Sequence, residues 1–434
     1  MALVEIRQVQ LANLNTERLR GFALDTPAPG ATRDVYDIEF AGWAVGQDTP
    51  VGAVEFHVEG AVLRRVPLDQ QRPDVARDYP GIGGVETTGF RTWISTVGLE
   101  PDVPIQLRAV MKDETRVRLG TVHLSHRPLQ PPFTPTLQPL MLTTLGRAGT
   151  TWTMRLLSEH PKIVVHRWHP YELRTARYWM HAFKVMTDPK DPYRSAQADV
   201  FQNDKSWAGH NPFYPEPITE TPGMEIWFGR THVEQAVGFA MRTAEECYRQ
   251  IAAAQGQEGA VYFAEKHRAD AMPWLYWELY PRAKEIFLVR DFRDVFSSML
   301  AFNQKQGRRV FGHDRLADDA EFAQFVRNGP VRLLSKSWPK RQDRAHLIRY
   351  EDLLQHPAET LRDILTYLEL DADETIINGI LERGTQESPE MRRHLTSSEV
   401  STSIGRWRSS LDPGLQRACN EVFGDVLTQF GYAV

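Results

Sequence analysis

The sequence predicts an α/β domain, built as a P-loop-like parallel sheet flanked by helices and preceded by a small all-β, sandwich-like domain. Three observations carry this. Residues 1–126 hold short alternating segments separated by turn formers. A proline-rich stretch follows. Beyond it, short apolar runs end in polar turns that lead into helical patterns.

In the first part, Val35–Phe40, Val54–Val58, Ile105–Val110 and Val117–Val122 alternate in character. Between them lie Pro29-Gly30, Gly46-Gln47-Asp48 and the segment Pro80 to Gly84, all turn formers. Several short strands at such spacing point to a sandwich. Prolines 128, 131, 132, 135 and 139 then fix φ and remove donors, which favours an extended, semi-rigid linker. The expected organisation is a β-sandwich-like accessory domain over 1–126, a linker over 127–139 and an α/β domain over 140–434. In that last part Leu140-Met141-Leu142 leads through a Gly-containing turn into a helical pattern from Trp152 to His160. Glu285–Val289 and Ala345–Tyr350 are similar runs, the second followed by a helix from Ala358 to Leu370. Strands alternating with helices imply a mainly parallel sheet.

Composition excludes other classes. The 434 residues are 41% hydrophobic and 25% charged, unlike disordered, collagen-like or coiled-coil chains. A net charge of −5 takes weight from nucleic-acid binding. Two cysteines, Cys247 and Cys419, build no disulfide framework and suit a reducing compartment. Glu5 interrupts what would be a signal peptide's apolar region. No apolar run approaches the roughly 18 residues of a membrane span. The expectation is a cytoplasmic protein with no transmembrane segment, whose partner is a small-molecule or glycan acceptor.

The most informative segment is Leu145-Gly146-Arg147-Ala148-Gly149-Thr150-Thr151-Trp152. A glycine-containing turn between strand and helix offers backbone N–H groups and a helix N-terminus to an anion. Arg147 adds charge, and Thr150 and Thr151 add hydroxyls. It is not a Walker A loop, because Gly149 is followed directly by Thr150 with no intervening Lys. A plain strand–helix turn is the bland alternative.

This segment resembles the 5′-phosphosulfate loop of sulfotransferases that use 3′-phosphoadenosine-5′-phosphosulfate (PAPS). Cytosolic members carry Lys-Ser-Gly-Thr-Thr-Trp there, and Golgi and bacterial members often carry Arg first. The resemblance implies that Arg147, Ala148, Gly149, Thr150 and Thr151 hold the phosphosulfate. It sets Trp152 against adenine, although a core role for that ring stays open. The segment Phe287 to Ser298 resembles the family's 3′-phosphate element, in which Arg ends a strand and Ser follows eight residues later. Arg290 and Ser298 have that spacing, and Arg offers a planar fork to phosphate. The competing reading pairs Arg290 with Asp291 or Asp294. Ile348-Arg-Tyr350-Glu-Asp-Leu353 is similar to a further strand end, which implies Tyr350 beside adenine and leaves Glu351 and Asp352 to cap a helix. Gly405-Arg406-Trp407 matches a C-terminal element only in part. The upstream Arg-Lys-Gly of cytosolic members reads Val400-Ser401-Thr402 here, a departure that argues against a close relative of the cytosolic enzymes and leaves Ser401, Ser403 or Arg406 as the candidate substitutes at the 3′-phosphate.

The resemblance covers about residues 138–434 and implies in-line sulfuryl transfer to an acceptor, with PAPS as donor and no metal. Arg147 and Lys266 are the groups expected to oppose charge on the leaving group. A general base is needed: Glu172, in Pro170-Tyr171-Glu172, is the first candidate, His267 the second and His169 the third. The region 164–260 is aromatic, with Trp168, Trp179, Trp207 and Trp227 beside Tyr171, Tyr178, Tyr193 and Tyr214. Most such rings are core, which is the favoured reading, yet the acceptor site is expected here. A saccharide or glycolipid is the first acceptor class and a small lipophilic alcohol the second. The other functional classes are a P-loop kinase or nucleotide hydrolase, and an inactive glycan-binding protein.

Overall fold

The computed structural model describes residues 2–189, 221–269, 273–386 and 401–434. The chain forms two compact units. One comprises Met1–Thr134 with Tyr178–Arg242, the other Pro135–Arg177 with Thr243–Val434.

The first unit is built on strands β1 (Val4–Leu11), β2 (Leu19–Thr26), β3 (Thr32–Arg33), β4 (Asp37–Gly46), β5 (Val51–Val58), β6 (Ala61–Pro67), β7 (Gly89–Ser95), β8 (Asp102–Met111) and β9 (Arg116–His126). A short helix, α1 (Pro73–Asp78), opens on proline at its first position, where no N–H is needed. Six strands form an antiparallel sheet in the order β3-β1-β9-β8-β5-β6, and β2-β4-β7 form a second. One apolar cluster draws on both sheets, including Ile6, Phe40, Phe56, Phe90, Ile105 and Leu107. Phe40 meets Phe56 edge-on at 4.9 Å. Strict alternation in β8 puts Val103, Ile105, Leu107 and Ala109 inward, as a half-buried strand requires.

The later segment of this unit is tied to the β strands by polar contacts. Tyr36 donates its amide to the Gly229 carbonyl at 2.9 Å and its hydroxyl to Glu234 at 2.8 Å. Lys184 donates to the Val97 carbonyl at 2.8 Å.

The second unit carries a five-stranded sheet of β10 (Gln138–Thr144), β11 (Ile163–Val164), β12 (Tyr262–Arg268), β13 (Lys284–Val289) and β14 (Ala345–Arg349), in the order β11-β12-β10-β13-β14. Every pairing is parallel. All seven β10 residues are buried, as the central strand of a sheet covered on both faces must be. The flanking helices include α2 (Thr150–Ser158), α5 (Phe292–Gln306), α6 (Tyr350–Gln355), α7 (Pro357–Tyr367) and α8 (Pro413–Gln429), while α3 (Thr175–Thr187) and α4 (Val233–Ala254) cross the divisions between the units. Strand order reverses around β10, so its carboxyl end is a topological switch point, the usual place for a ligand in an open α/β sheet.

The helix-capping expectation at Glu351 and Asp352 is corrected. Both lie in the first turn of α6, which has no side-chain cap. Glu351 accepts the Asp291 amide at 3.0 Å and the Tyr432 hydroxyl at 2.7 Å. Asp352 takes a bidentate bond from Arg349 at 2.8 and 3.0 Å. Glu351 is drawn to a remote amide and a phenol, and Asp352 to a charge-assisted guanidinium fork.

Candidate functional site

Four strands deliver the sequence-predicted residues to one end of the sheet. β10 ends in the 145–149 turn, β12 carries Lys266 near its end, β13 is followed by Arg290, and β14 by Tyr350. The turn is tight: Arg147 has φ 70° and Gly149 has φ 87°. A Cβ on Gly149 would lie 2.2 Å from Cδ2 of Tyr350. Only glycine meets both demands, a left-handed backbone and a ring in direct contact.

Hydrogen bonds join the segments. Arg147 Nε donates to Ser298 Oγ at 3.1 Å. Arg290 Nη1 donates to the Arg147 carbonyl at 3.0 Å, and Nη2 to the Ser403 carbonyl at 2.6 Å. The Tyr350 hydroxyl lies 3.3 Å from Ser403 Oγ. Arg290 sits over the Tyr350 ring at 4.7 Å. Trp152 meets Tyr350 edge-on at 6.4 Å and packs beside two apolar clusters. Trp152 is therefore partly buried against the core with an edge toward Tyr350.

The competing pairing of Arg290 does not occur. Asp291 caps α5 by accepting the Arg293 amide, and binds the Arg293 guanidinium, with Nη2 at 2.7 Å. Asp294 accepts the amides of Gly405 at 2.7 Å and Trp407 at 2.9 Å. It thereby fixes the turn that carries Arg406. Both acids hold the scaffold, and the buried Arg290 is left bonded to carbonyls, with Nε unpartnered among the described residues.

The local field is positive. Burial, then the charges of Arg290 and Arg406, push the Arg147 guanidinium down to about 10. Arg406 is lowered by burial and by Arg290. Burial likewise raises Asp294, against the pull of the Trp407 amide and Arg290. Guanidiniums that repel one another beside a helix N-terminus are an arrangement that can hold an anion.

Beside them, the buried Lys266 donates to the Pro170 carbonyl at 2.6 Å and Thr151 Oγ1 at 3.2 Å. Its Nζ lies 3.4 Å from Glu172 Oε1. Burial lowers this ammonium to about 8, and Glu172 opposes the shift. Glu172 itself is half exposed, with Arg174 at 4.0 Å.

Adjacent residues of a strand face opposite ways, and β12 separates Lys266 from His267. His267 lies edge-on to Tyr276 at 5.1 Å and 3.7 Å from Glu265. His169 lies at the cis peptide before Pro170, edge-on to Tyr171 at 6.4 Å. Sequence reading assigned no role to Glu265. Its buried carboxylate accepts the amides of Ala176 and Arg177 at 2.7 and 3.2 Å and the Tyr248 hydroxyl at 2.6 Å. It thus anchors the start of α3, three residues beyond Glu172. The signal was present as a carboxylate two residues from His267 on a strand, but its partners are remote in sequence. Phe302, under the Arg147 guanidinium at 4.9 Å, was missed too.

The core reading of the aromatic region is corrected where residues are described. Trp168 is 75% exposed, Tyr178 65% and Trp227 41%, while Tyr171 and Trp179 are half-buried. Trp207, Tyr193 and Tyr214 lie outside the described residues, as does Val400, and of Ser401 only the backbone is described. No group of three or more His, Cys, Asp or Glu that could hold a metal occurs among the described residues. No described helix is long and apolar enough to cross a membrane.

Residues 139–374 match the family model for the Sulfotransferase family. No curated protein matches the chain. Among solved structures, mouse sulfotransferase SULT7A1 complexed with PAP is 12% identical with a TM-score of 0.37, over 68% of this chain and 85% of its own. Sulfotransferase STF9 from Mycobacterium avium is 13% identical with a TM-score of 0.36, over 69% and 79%. A sulfotransferase from Alicyclobacillus acidocaldarius is 14% identical with a TM-score of 0.34, over 69% and 97%.

Proposed function

Because this chain belongs to the sulfotransferase family, we propose that it takes PAPS as donor and moves the sulfuryl group to an acceptor hydroxyl, first of a saccharide or glycolipid, second of a small lipophilic alcohol. The observation that carries this reading is the cluster of Arg147, Arg290 and Arg406 around the 145–149 turn. The unpartnered Nε of Arg290, buried beside them, fits a nucleotide that is anionic at both its 3′ and its 5′ ends.

In this reading Arg147, Ala148, Gly149, Thr150 and Thr151 hold the 5′ end. Arg290, Ser298, Ser403 and Arg406 hold the 3′-phosphate, and Trp152 and Tyr350 flank adenine. The donor supplies an activated sulfuryl group when bound. Lys266 and Arg147 present fixed positive charge where the leaving oxygen gains electrons. Glu172 accepts the proton of the acceptor hydroxyl, its carboxylate oriented by the Lys266 ammonium. His267, on the other face of β12, is the less direct candidate. In domain terms we propose that residues 140–434 carry the transfer chemistry and residues 1–126 an accessory role.

The test is calorimetric titration with adenosine 3′,5′-bisphosphate, in EDTA, with ATP as competitor. The expected result is metal-independent binding that ATP cannot match, weakened at least about a hundredfold in Arg290→Ala by loss of a charge-assisted pair of bonds. Preference for Mg-ATP would overturn the reading in favour of a kinase or hydrolase.

A further inference from the structure

The outer face of the six-stranded sheet carries a row of charge with an unusual imbalance. Glu55 on β5 stands directly opposite Arg65 on β6 and Arg108 on β8, and Arg108 stands opposite Arg118 on β9. Their neighbours Val54, Phe56, Leu107, Ala109, Val117 and Leu119 point into the core, so these four point away from it. The two nearby carboxylates are already engaged. Arg116 forks onto Glu55 at 2.9 and 3.1 Å, where His57 also lies at 3.0 Å. Arg65 forks onto Glu114 at 3.1 and 2.8 Å.

Arg108 and Arg118 are left with neutral partners. Arg108 donates to Gln106 Oε1 at 3.2 Å and Arg118 to Thr121 Oγ1 at 3.3 Å. Like charges directly opposite on neighbouring strands destabilise a sheet, yet both are present. An anion between them removes the conflict.

The chemistry of that anion follows from what the face lacks. Phe56 is the one Phe, Tyr or Trp in these six strands, and it is in the core. Neutral sugars and nucleobases are gripped by ring stacking, which this face does not offer. A carboxylate presents two oxygens, whereas a sulfate ester presents three terminal oxygens, which suits it to bridging two guanidiniums at once. We propose that this face binds a sulfated polysaccharide, with one sulfate group bridging Arg108 and Arg118 and Arg65 flanking it. The proposal does not rest on the transferase reading.

The full chain is titrated with dextran sulfate, neutral dextran, carboxymethyl dextran, a single-stranded oligonucleotide and anionic phospholipid vesicles. Dextran sulfate is expected to bind at least about tenfold tighter than the others, with a log–log salt slope that falls by about 1 to 2 in Arg108→Gln/Arg118→Gln. That variant is expected to keep its affinity for adenosine 3′,5′-bisphosphate and its thermal midpoint, since it relieves repulsion. Single Arg118→Gln, at an exposed position, gives a version with less demand on folding. Unchanged dextran sulfate affinity in either variant would overturn the proposal, as would stronger binding of the carboxylated polymer, the oligonucleotide or the vesicles.

Discussion

Lys266 shows how a single residue ties stability and activity to pH in opposite directions. Its ammonium is buried and lowered from 10.5 to about 8 by desolvation, with Glu172 holding it back from falling further. Below pH 8 it is charged and able to oppose negative charge. Between pH 8 and 10.5 the folded chain binds fewer protons here than the unfolded chain, so this group's contribution to stability rises with pH across that window. The transfer rate is expected to move the other way. kcat/KM should fall above an apparent pKa near 8, and kcat should fall at a higher pH, because a bound anion favours the ammonium. Lys266→Arg should remove that alkaline limb while keeping some activity. A pH profile of the arginine variant that still falls near 8 would assign the limb to another group. At this scale the sequence was most legible. Arg147, Gly149, Arg290, Ser298 and Tyr350 are brought together, because four of them lie at a strand end or the turn or helix start that follows it, and Ser298 lies in the second turn of α5, where the eight-residue spacing from Arg290 puts it.

At the scale of elements, Glu265 was the residue that sequence could not interpret. The strand β12 ends in Glu-Lys-His-Arg, a charged run that hides its strand character, and its alternation sends Lys266 and His267 to opposite faces. The same alternation turns Glu265 toward Tyr248 and the amides of Ala176 and Arg177. A carboxylate at a helix N-terminus satisfies orphan amides and complements the dipole. Burial, then Glu265, keep the Tyr248 hydroxyl protonated by raising it well above its usual range. Glu265→Gln replaces one acceptor with a donor facing these donors. It should lower stability by about 1–3 kcal/mol, read as a reduced denaturant midpoint. Because the start of α3 follows closely on Glu172, turnover should fall while affinity for adenosine 3′,5′-bisphosphate holds. A loss of nucleotide affinity equal to the loss of turnover would mean that Glu265 supports the whole sheet end rather than this one element. β1, β2, β3, β6, β7, β11 and β12 were not read from sequence: β3 and β11 are two residues long, β12 ends in a charged run, and bulges break the pattern of others, as in β1, which shifts register between Ile6 and Gln8.

Across the whole molecule, what sequence conveyed least was the path of the chain between units. Composition shifts at the prolines marked a change of pattern, and the first division between units falls at Thr134 and Pro135. Nothing local in Tyr178–Arg242 signals that it groups with strands more than fifty residues upstream. Its partners are long-range: the Gly229 carbonyl takes the Tyr36 amide at 2.9 Å, Glu225 takes Arg33 at 2.7 Å, and a Cβ on Gly229 would lie 2.6 Å from Val35. Backbone and side-chain contacts of this kind are each worth about 1 kcal/mol, and more where a buried group is orphaned. A fragment beginning at Pro135 retains the segments proposed to bind nucleotide but strips Tyr178–Arg242 of these partners. Both α3 and α4 run through the divisions at Arg177/Tyr178 and Arg242/Thr243, so loosening of that segment reaches the α3 turn that follows Glu172. The fragment is expected to melt at least about 10 °C below the full chain, and to lose turnover more than affinity for adenosine 3′,5′-bisphosphate. Differential scanning calorimetry and nucleotide titration of the two chains decide this. A fragment with the full chain's midpoint and turnover would show that the β unit is dispensable to the other, and that Tyr178–Arg242 stands without it.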